Sequence, residues 1–359
     1  MKKILYYLRA LNIGGAETFV CNVLEKIDTA QYHIDIVLQS DKNENVRLLE
    51  LCKKKDVKIF YTLPFEKHYF KSYKQLLSIV KDNGYDVIHL HANSLINNIP
   101  ILVARKAKCK FVVHSHNSNN NVGGAIGKYI HYFNRWLMNH GEVVRLSCSD
   151  KAAKWMFGSQ KYQLINNGIN LDTYKYNNQS RIELRKKYNI DDNILVWGHV
   201  SRFVEAKNHD FLIKCFDYYN KKNPESKLVL VGDGPLFFKI KTETNKPNII
   251  FLGSISETSR FYSMFDLMVF PSLFEGLPFT LVEAQASGLP ILASENITKL
   301  VNITGLINYL SLNKSWDEWI SHIPSKLSET QRVKTSQMMK NSVFDSDTTI
   351  KQISNCYEN

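Results

Sequence analysis

Short apolar runs rich in β-branched and aromatic residues recur along this chain, each followed by a longer stretch whose apolar positions repeat every three or four residues. In the first half the runs are Lys3–Leu8, Ile34–Leu38, Val57–Tyr61, Val87–Leu90, Phe111–His114 and Val143–Ser147. Between the first two, Phe19, Val20, Val23, Leu24 and Ile27 fall at helical spacing. Strands separated by helices run parallel, and strands apolar throughout are buried on both sides. The pattern therefore predicts an α/β chain with a parallel sheet covered on both faces.

The pattern restarts after Ile165-Asn166-Asn167-Gly168 and the polar stretch Tyr174–Arg181. Further strands are expected near Ile194–His199, Leu228–Val231, Ile249–Leu252, Leu267–Phe270 and Ile291–Ala293. A chain of 359 residues is long enough for two domains. The expected division is 1–168 and 169–342, with a helix over about 343–359 after them. The opening MKKILYYLRA resembles a secretory leader, but Arg9 interrupts the apolar run and no small-residue cleavage site follows, so it is read as the first strand. No stretch approaches the ~18 uninterrupted apolar residues of a membrane span.

Charge is unevenly placed. Residues 1–168 carry 24 Lys/Arg against 13 Asp/Glu, and the remainder 22 against 21. A basic first half points to an anionic partner: a phosphorylated substrate, a nucleic acid or an acidic membrane face. No zinc-finger or RNP-type motif supports the nucleic acid. The six cysteines form no C-x-x-C pair, which predicts reduced thiols in a cytoplasmic protein.

In parallel sheets ligands gather at the carboxyl ends of strands, so chemistry is sought in the loops that follow them. The first such loop carries Gly14-Gly15, where the backbone can approach an anion beside a new helix; it reads equally as a tight turn. The loop Ser201–Asp210 offers Arg202, a planar fork for phosphate oxygens, and Lys207, a movable point charge, with Asn208 able to cap the following helix. In Phe270–Ala284, Glu275 precedes the turn Gly276-Leu277-Pro278, and Pro278 suits the first position of a helix running through Phe279, Thr280 and Glu283. Two carboxylates bracketing a helix start can accept sugar hydroxyls while the free amides between them hold a phosphate. Another strand ends in His114-Ser115-His116-Asn117. His89 and His91, two apart on one strand, face one way and could form a metal pair, with no further ligand cluster in view.

Glu275 and Glu283 with seven residues between, Gly14-Gly15-Ala16-Glu17, Arg202 with Lys207, Val231-Gly232-Asp233-Gly234-Pro235 and Ile165–Ile169 follow one another in an order that resembles the retaining glycosyltransferase family 4. Within that family the chain looks like the bacterial capsular and exopolysaccharide enzymes. The resemblance implies a GT-B fold: two Rossmann-like domains whose parallel sheets face an interdomain cleft, the first binding acceptor and the second the nucleotide sugar, with the last helix, about 343–359, crossing back onto the first domain. It also implies roles. Arg202 and Lys207 would grip the donor diphosphate, Glu283 the ribose hydroxyls and Glu275 the transferred sugar, with Gly14, Gly15 and the run Gly276 to Thr280 completing the donor site. His116 matches the active-site histidine, and His114 is the other candidate. Ser294–Leu300 departs from the family's Gly-Gly-x-Pro-Glu type loop, and Asn166 stands where proline is common.

The implied reaction moves a sugar, with retention, from a nucleoside diphosphate sugar, UDP foremost, to a growing lipid-linked surface polysaccharide. Fixed cations and helix-terminal amides would carry the leaving charge, so neither metal nor cofactor is expected. Two other readings are a nucleotide-sugar epimerase of the same fold and a non-catalytic partner subunit of a glycosyltransferase pair. The basic, aromatic segment Lys67–Leu77, with Lys53–Lys55 before it, suits peripheral attachment to the inner face of the plasma membrane.

Overall fold

The structure is a computed structural model that describes residues 1–10, 15–39, 45–116, 124–244 and 246–358. The chain forms two compact units, Met1–Gly168 with Ser346–Asn359, and Ile169–Asp345.

The first unit carries a seven-stranded sheet of β1 (Lys2–Leu8), β2 (Tyr32–Leu38), β3 (Ile59–Tyr61), β4 (Val87–Ala92), β5 (Lys110–Ser115), β6 (Val144–Ser147) and β7 (Gln163–Leu164). All pairs are parallel, in the order β3-β2-β1-β4-β5-β6-β7. Alternate side chains of β1 go to opposite cores. Ile4, Tyr6 and Leu8 pack with Phe19, Val20 and Val23 of helix Gly15–Lys26, whereas Leu5 and Tyr7 share the other core with Leu76 and Val80 of helix Phe65–Asn83. Each such aliphatic side chain removed from water is worth about 1.5–3 kcal/mol, which is why both faces must be covered.

Helix Ser346–Glu358 belongs to this first unit. Its Ile353 and Tyr357 lie in the core beside Ile4 and Tyr6, and the Tyr6 and Tyr357 hydroxyls are 2.7 Å apart. Lys2 Nζ donates to the Tyr357 carbonyl at 2.7 Å.

The second unit repeats the plan with β8 (Val196–Val200), β9 (Lys227–Val231), β10 (Ile249–Gly253), β11 (Leu267–Phe270), β12 (Ile291–Ser294) and β13 (Ile307–Leu310), all parallel, in the order β10-β9-β8-β11-β12-β13. Val196, Met268, Phe270 and Ile291 share one core with Tyr262 and Leu281. Trp197, Leu228, Val269 and Leu292 share the other with Leu212, Phe216 and Trp319. Buried Asp266 receives both Arg181, at 2.9 Å, and Arg185, at 2.6 Å, tying helix Asn178–Lys187 to the start of β11.

In both sheets the first strand lies between the second and the fourth, so the connections leave β1 and β4, and β8 and β11, toward opposite faces. Open α/β sheets place their ligand crevice at this reversal, outside the carboxyl ends. Among the described helices none is long and apolar enough to cross a membrane.

Candidate active site

In the second unit the reversal brings together the loops that follow β8 and β11. His199, at the end of β8, donates through Nδ1 to the Val269 carbonyl at 2.8 Å. Its Nε2 therefore accepts from the Ser201 hydroxyl at 2.7 Å, which turns the chain outward. His209 stacks on Phe203 with ring centroids 4.0 Å apart. Burial pulls the pKa of His199 down to about 4 and that of His209 to about 2, so both rings are neutral.

A 3₁₀ turn, Glu205–Lys207, ends in Asn208 at φ 56°, a left-handed conformation that asparagine tolerates. The Asn208 side chain does not cap helix His209–Asn220; it donates instead to the Pro271 carbonyl at 3.2 Å. The left-handed backbone turns that side chain toward the neighbouring loop. Leu273 N–H donates to the Ala206 carbonyl at 2.8 Å, and the Lys207 ammonium pairs with the Glu275 carboxylate. Lys207 also lies 5.4 Å from the centre of the Phe270 ring. The two loops are thus one unit, with a half-buried cation beside the start of a helix.

That helix is Phe279–Ala286, and Pro278 stands just before it rather than at its first position. Glu283 lies in its second turn. Tyr262 donates to Glu283 at 2.5 Å, and burial raises the Glu283 pKa against the opposing pull of the Tyr262 and Tyr174 hydroxyls. Thr280, one turn before Glu283 on the same helical face, borders a hollow of about 310 Å³ at the carboxyl ends of β8, β9 and β10. Ser201, Arg202, Gly232, Asp233 and Ser254 also line it. Gly232 has φ +132°, and a Cβ there would stand 1.9 Å from the Ser201 carbonyl oxygen, so only glycine lets the β9 loop close against the β8 loop.

The sequence-derived residues thus separate. Arg202 and Thr280 border the hollow, Lys207 and Glu275 pair across the β8 and β11 loops without lining it, and Glu283 is held by Tyr262. Gly276 is exposed, whereas Leu277 and Phe279 pack on the apolar core and Pro278 is buried, so these three shape the turn. Asp233, Ser254 and Thr258 also line the hollow; the Gly-Asp-Gly-Pro run is a sequence signal for Asp233, and none marks Ser254 or Thr258. The chain's single Asp-x-Asp triplet, Asp345-Ser346-Asp347, is structural: Asp345 accepts from Asn341 N–H at 2.9 Å and Asp347 pairs with Lys26 at 2.5 Å.

In the first unit Gly15 opens helix Gly15–Lys26, while Gly14 and Asn117 lie outside the described residues. His116, just past β5, is partly exposed, and its Nε2 is 2.9 Å from Nδ1 of His91. Burial lowers the His116 pKa to about 3, leaving a neutral imidazole. His114 is fully buried. The expectation that no further ligand accompanies His89 and His91 is corrected: β4 and β5 are neighbours in a register that pairs His91 with His114, so a third histidine joins them.

The aromatic basic segment forms the start of helix Phe65–Asn83, with Lys67, Phe70, Lys71 and Lys74 exposed. A second helix, Gly124–Asn139, exposes Ile126, Tyr129, Tyr132, Phe133 and Trp136. Tyr129 and Phe133 join Phe65, Tyr69 and Ile96 around an apolar hollow of about 340 Å³.

Two doubly wound parallel sheets, one carrying an anion-suited loop pair at its reversal, are the layout of the GT-B glycosyltransferases. Comparison with known proteins agrees. Residues 13–173 match the family described as Glycosyltransferase Family 4, and residues 180–342 match Glycosyl transferases group 1. EpsF of Bacillus subtilis (strain 168), named as a glycosyltransferase, is 31% identical over 336 residues, 90% of this chain and 87% of the relative. The UDP-Gal:alpha-D-GlcNAc-diphosphoundecaprenol alpha-1,3-galactosyltransferase of Escherichia coli is 26% identical over 242 residues, 62% of this chain and 61% of the relative. Among solved structures, Anabaena Alr3699/HepE in complex with UDP aligns over the full length of both chains with a TM-score of 0.76 at 18% identity. Its complex with UDP-glucose aligns with a TM-score of 0.70. The chain belongs to glycosyltransferase family 4.

Proposed function

We propose that this glycosyltransferase moves one hexose, with retention, from a UDP-sugar to a lipid-linked acceptor of a growing capsular or exopolysaccharide chain, at the cytoplasmic face of the membrane. The observation that carries the reading is the loop pair at the β8/β11 reversal, where Arg202 borders a hollow and Lys207 pairs with Glu275 just before a helix start. UDP in the HepE complexes, and UDP-Gal and a diphosphoundecaprenol acceptor in the name of the E. coli relative, support the choice of donor and acceptor class.

Cleaving a sugar–phosphate bond builds positive charge on the sugar and negative charge on the departing diphosphate. Arg202, Lys207 and the amides of the Gly276–Thr280 turn meet the second charge without a metal. Before donor arrives, Glu275 neutralises Lys207; bound diphosphate replaces it, freeing the Glu275 carboxylate to accept hydroxyls of the sugar. Glu283 accepts the ribose hydroxyls, its orientation fixed by Tyr262. The departing phosphate oxygen takes the acceptor proton, which gives retention by front-face attack. His116, neutral and partly exposed, hydrogen-bonds the sugar and is not a nucleophile. Gly14 and Gly15 keep the role given by the resemblance, close approach of backbone to the diphosphate.

The test is calorimetric titration of UDP, GDP and CDP in EDTA, followed by assay of UDP release with and without a lipid-diphosphate sugar acceptor. UDP binding with acceptor-dependent release is the expected result. Release without acceptor would turn the reading to an epimerase, and no binding of any nucleotide would turn it to a partner subunit.

The acceptor's lipid requires a membrane-facing surface. The exposed aromatics of helix Gly124–Asn139, with Phe70 and Lys67, Lys71 and Lys74 nearby in the same unit, are proposed to supply it. Each aromatic inserted is worth about 1.5–3 kcal/mol. The double variant Phe133→Asp/Trp136→Asp should therefore lose more than tenfold in co-sedimentation with vesicles containing acidic phospholipid, with UDP affinity unchanged. Undiminished vesicle binding would remove this face from the model of attachment.

A further inference from the structure

Four histidines crowd the carboxyl ends of β4 and β5 beneath Phe19, and the donor chemistry of the other unit uses none of His89, His91 and His114. The register that places His91 beside His114, with His89 two residues earlier on the same face, brings one ring nitrogen from each within 4.8 Å of the others. All three rings are buried, His89 and His114 completely.

The hydrogen bonds around them are sorted in a telling way. His89 Nδ1 is 2.8 Å from the Tyr357 hydroxyl, and His91 Nδ1 is 2.9 Å from His116 Nε2. The Nε2 atoms of both rings, and both nitrogens of His114, are buried with no partner among the described residues. Buried polar atoms are seldom left so, and four in one place ask for a ligand. An outer hydrogen bond through Nδ1 with a bare Nε2, as His89 and His91 have, is the arrangement by which protein histidines present themselves to a metal.

We propose that the first unit binds one divalent first-row cation of the zinc class through His89, His91 and His114. Three neutral imidazoles suit zinc, cobalt or nickel and give nothing to calcium or magnesium, which prefer oxygen. The spacing asks the rings to draw in toward the ~3.3 Å between ligand atoms that a tetrahedral ion with bonds of about 2.0–2.1 Å sets. Water or an anion takes the fourth position, and partly exposed His116 marks the entry side. Tyr357 and His116 are positioning residues that orient the ligating rings.

The three proposed ligands have no part in the proposed donor site, which shares only His116 with this inference, so Zn(II) binding is read separately from UDP binding. Full-length protein is stripped with EDTA, and Zn(II) is titrated in competition with a chromogenic chelator; Co(II) absorption reports the ligand geometry. Expected are one equivalent of tight binding and the intense visible bands of tetrahedral Co(II). Affinity should fall more than 100-fold in His114→Phe, fall 10–100-fold in Tyr357→Phe, and stay unchanged in His68→Gln, an exposed control. Cooperative thermal unfolding checks that each variant folds, and His91→Phe serves should His114→Phe fail that check. No stoichiometric binding by the wild type, or equal binding by folded His114→Phe or His91→Phe, overturns the proposal.

Discussion

Replacing Lys207 by alanine is expected to weaken UDP binding by about 1.5–3 kcal/mol, the scale of hydrogen bonds to charged groups, and to slow sugar transfer by about 10²–10³-fold. Lys207 is half-buried, where its charge acts at a lower effective dielectric than in bulk water, and it stands at the reversal of the second sheet. Its removal also leaves the Glu275 carboxylate without its partner, directly beside the incoming phosphate. The double variant Lys207→Ala/Glu275→Gln separates the two effects. If Lys207 serves only to neutralise Glu275, the double variant regains UDP affinity; if Lys207 carries the leaving charge, it stays impaired. Recovery of wild-type affinity and turnover in the double variant would contradict the assigned role.

Acidification from pH 7 to pH 5 is expected to destabilise the second unit by about 2 kcal/mol for each of His199 and His209. Both rings have folded pKa values below that of an unfolded histidine, about 4 and about 2. Between pH 6.5 and those values the unfolded chain binds protons that the folded one refuses, so stability rises with pH in this window and is lost as pH falls. The folded state holds the rings neutral because His199 is wedged between Val269 and Ser201, and His209 lies against Phe203, with Lys207 adding repulsion. Glu283, whose folded pKa is raised, works in the opposite sense and offsets part of the loss. Urea unfolding followed by tryptophan fluorescence, with Trp197 and Trp319 in this core, checks the expectation. Folded His209→Phe should lose about half of the pH dependence, and a wild type equally stable at pH 7 and pH 5 would show that the rings titrate normally.

The central strands were legible because they are buried on both faces and read as unbroken apolar runs. β7 and β13 were not. β7 is two exposed residues, and β13 is an edge strand whose Asn308 faces solvent, so neither carries the signal of a core strand. Lys207 and Glu275 of the proposed donor site stand out by their place after strands, yet their pairing is hidden in the sequence, because only strand order shows that β8 and β11 adjoin. The same holds for His114 beside His91, a contact created by register across 23 residues of sequence. Helix Gly124–Asn139 inverts the usual pattern: its apolar residues repeat at helical spacing, which ordinarily marks the buried stripe, and here they mark the exposed one. Asn208 was read from the usual capping preference, whereas tertiary contacts gave its side chain to the neighbouring loop.

The return of residues 346–358 to the first sheet gives folding an order in time. Tyr357, which closes over Tyr6 and His89, leaves the ribosome only after the whole of 169–345 has been made. At about 5–20 residues per second that is a wait of roughly ten to thirty-five seconds. Throughout it Ile4 and Tyr6 lack part of their cover, and by its end the second unit has every residue of its own core. The first unit, begun before the second, is therefore completed after it.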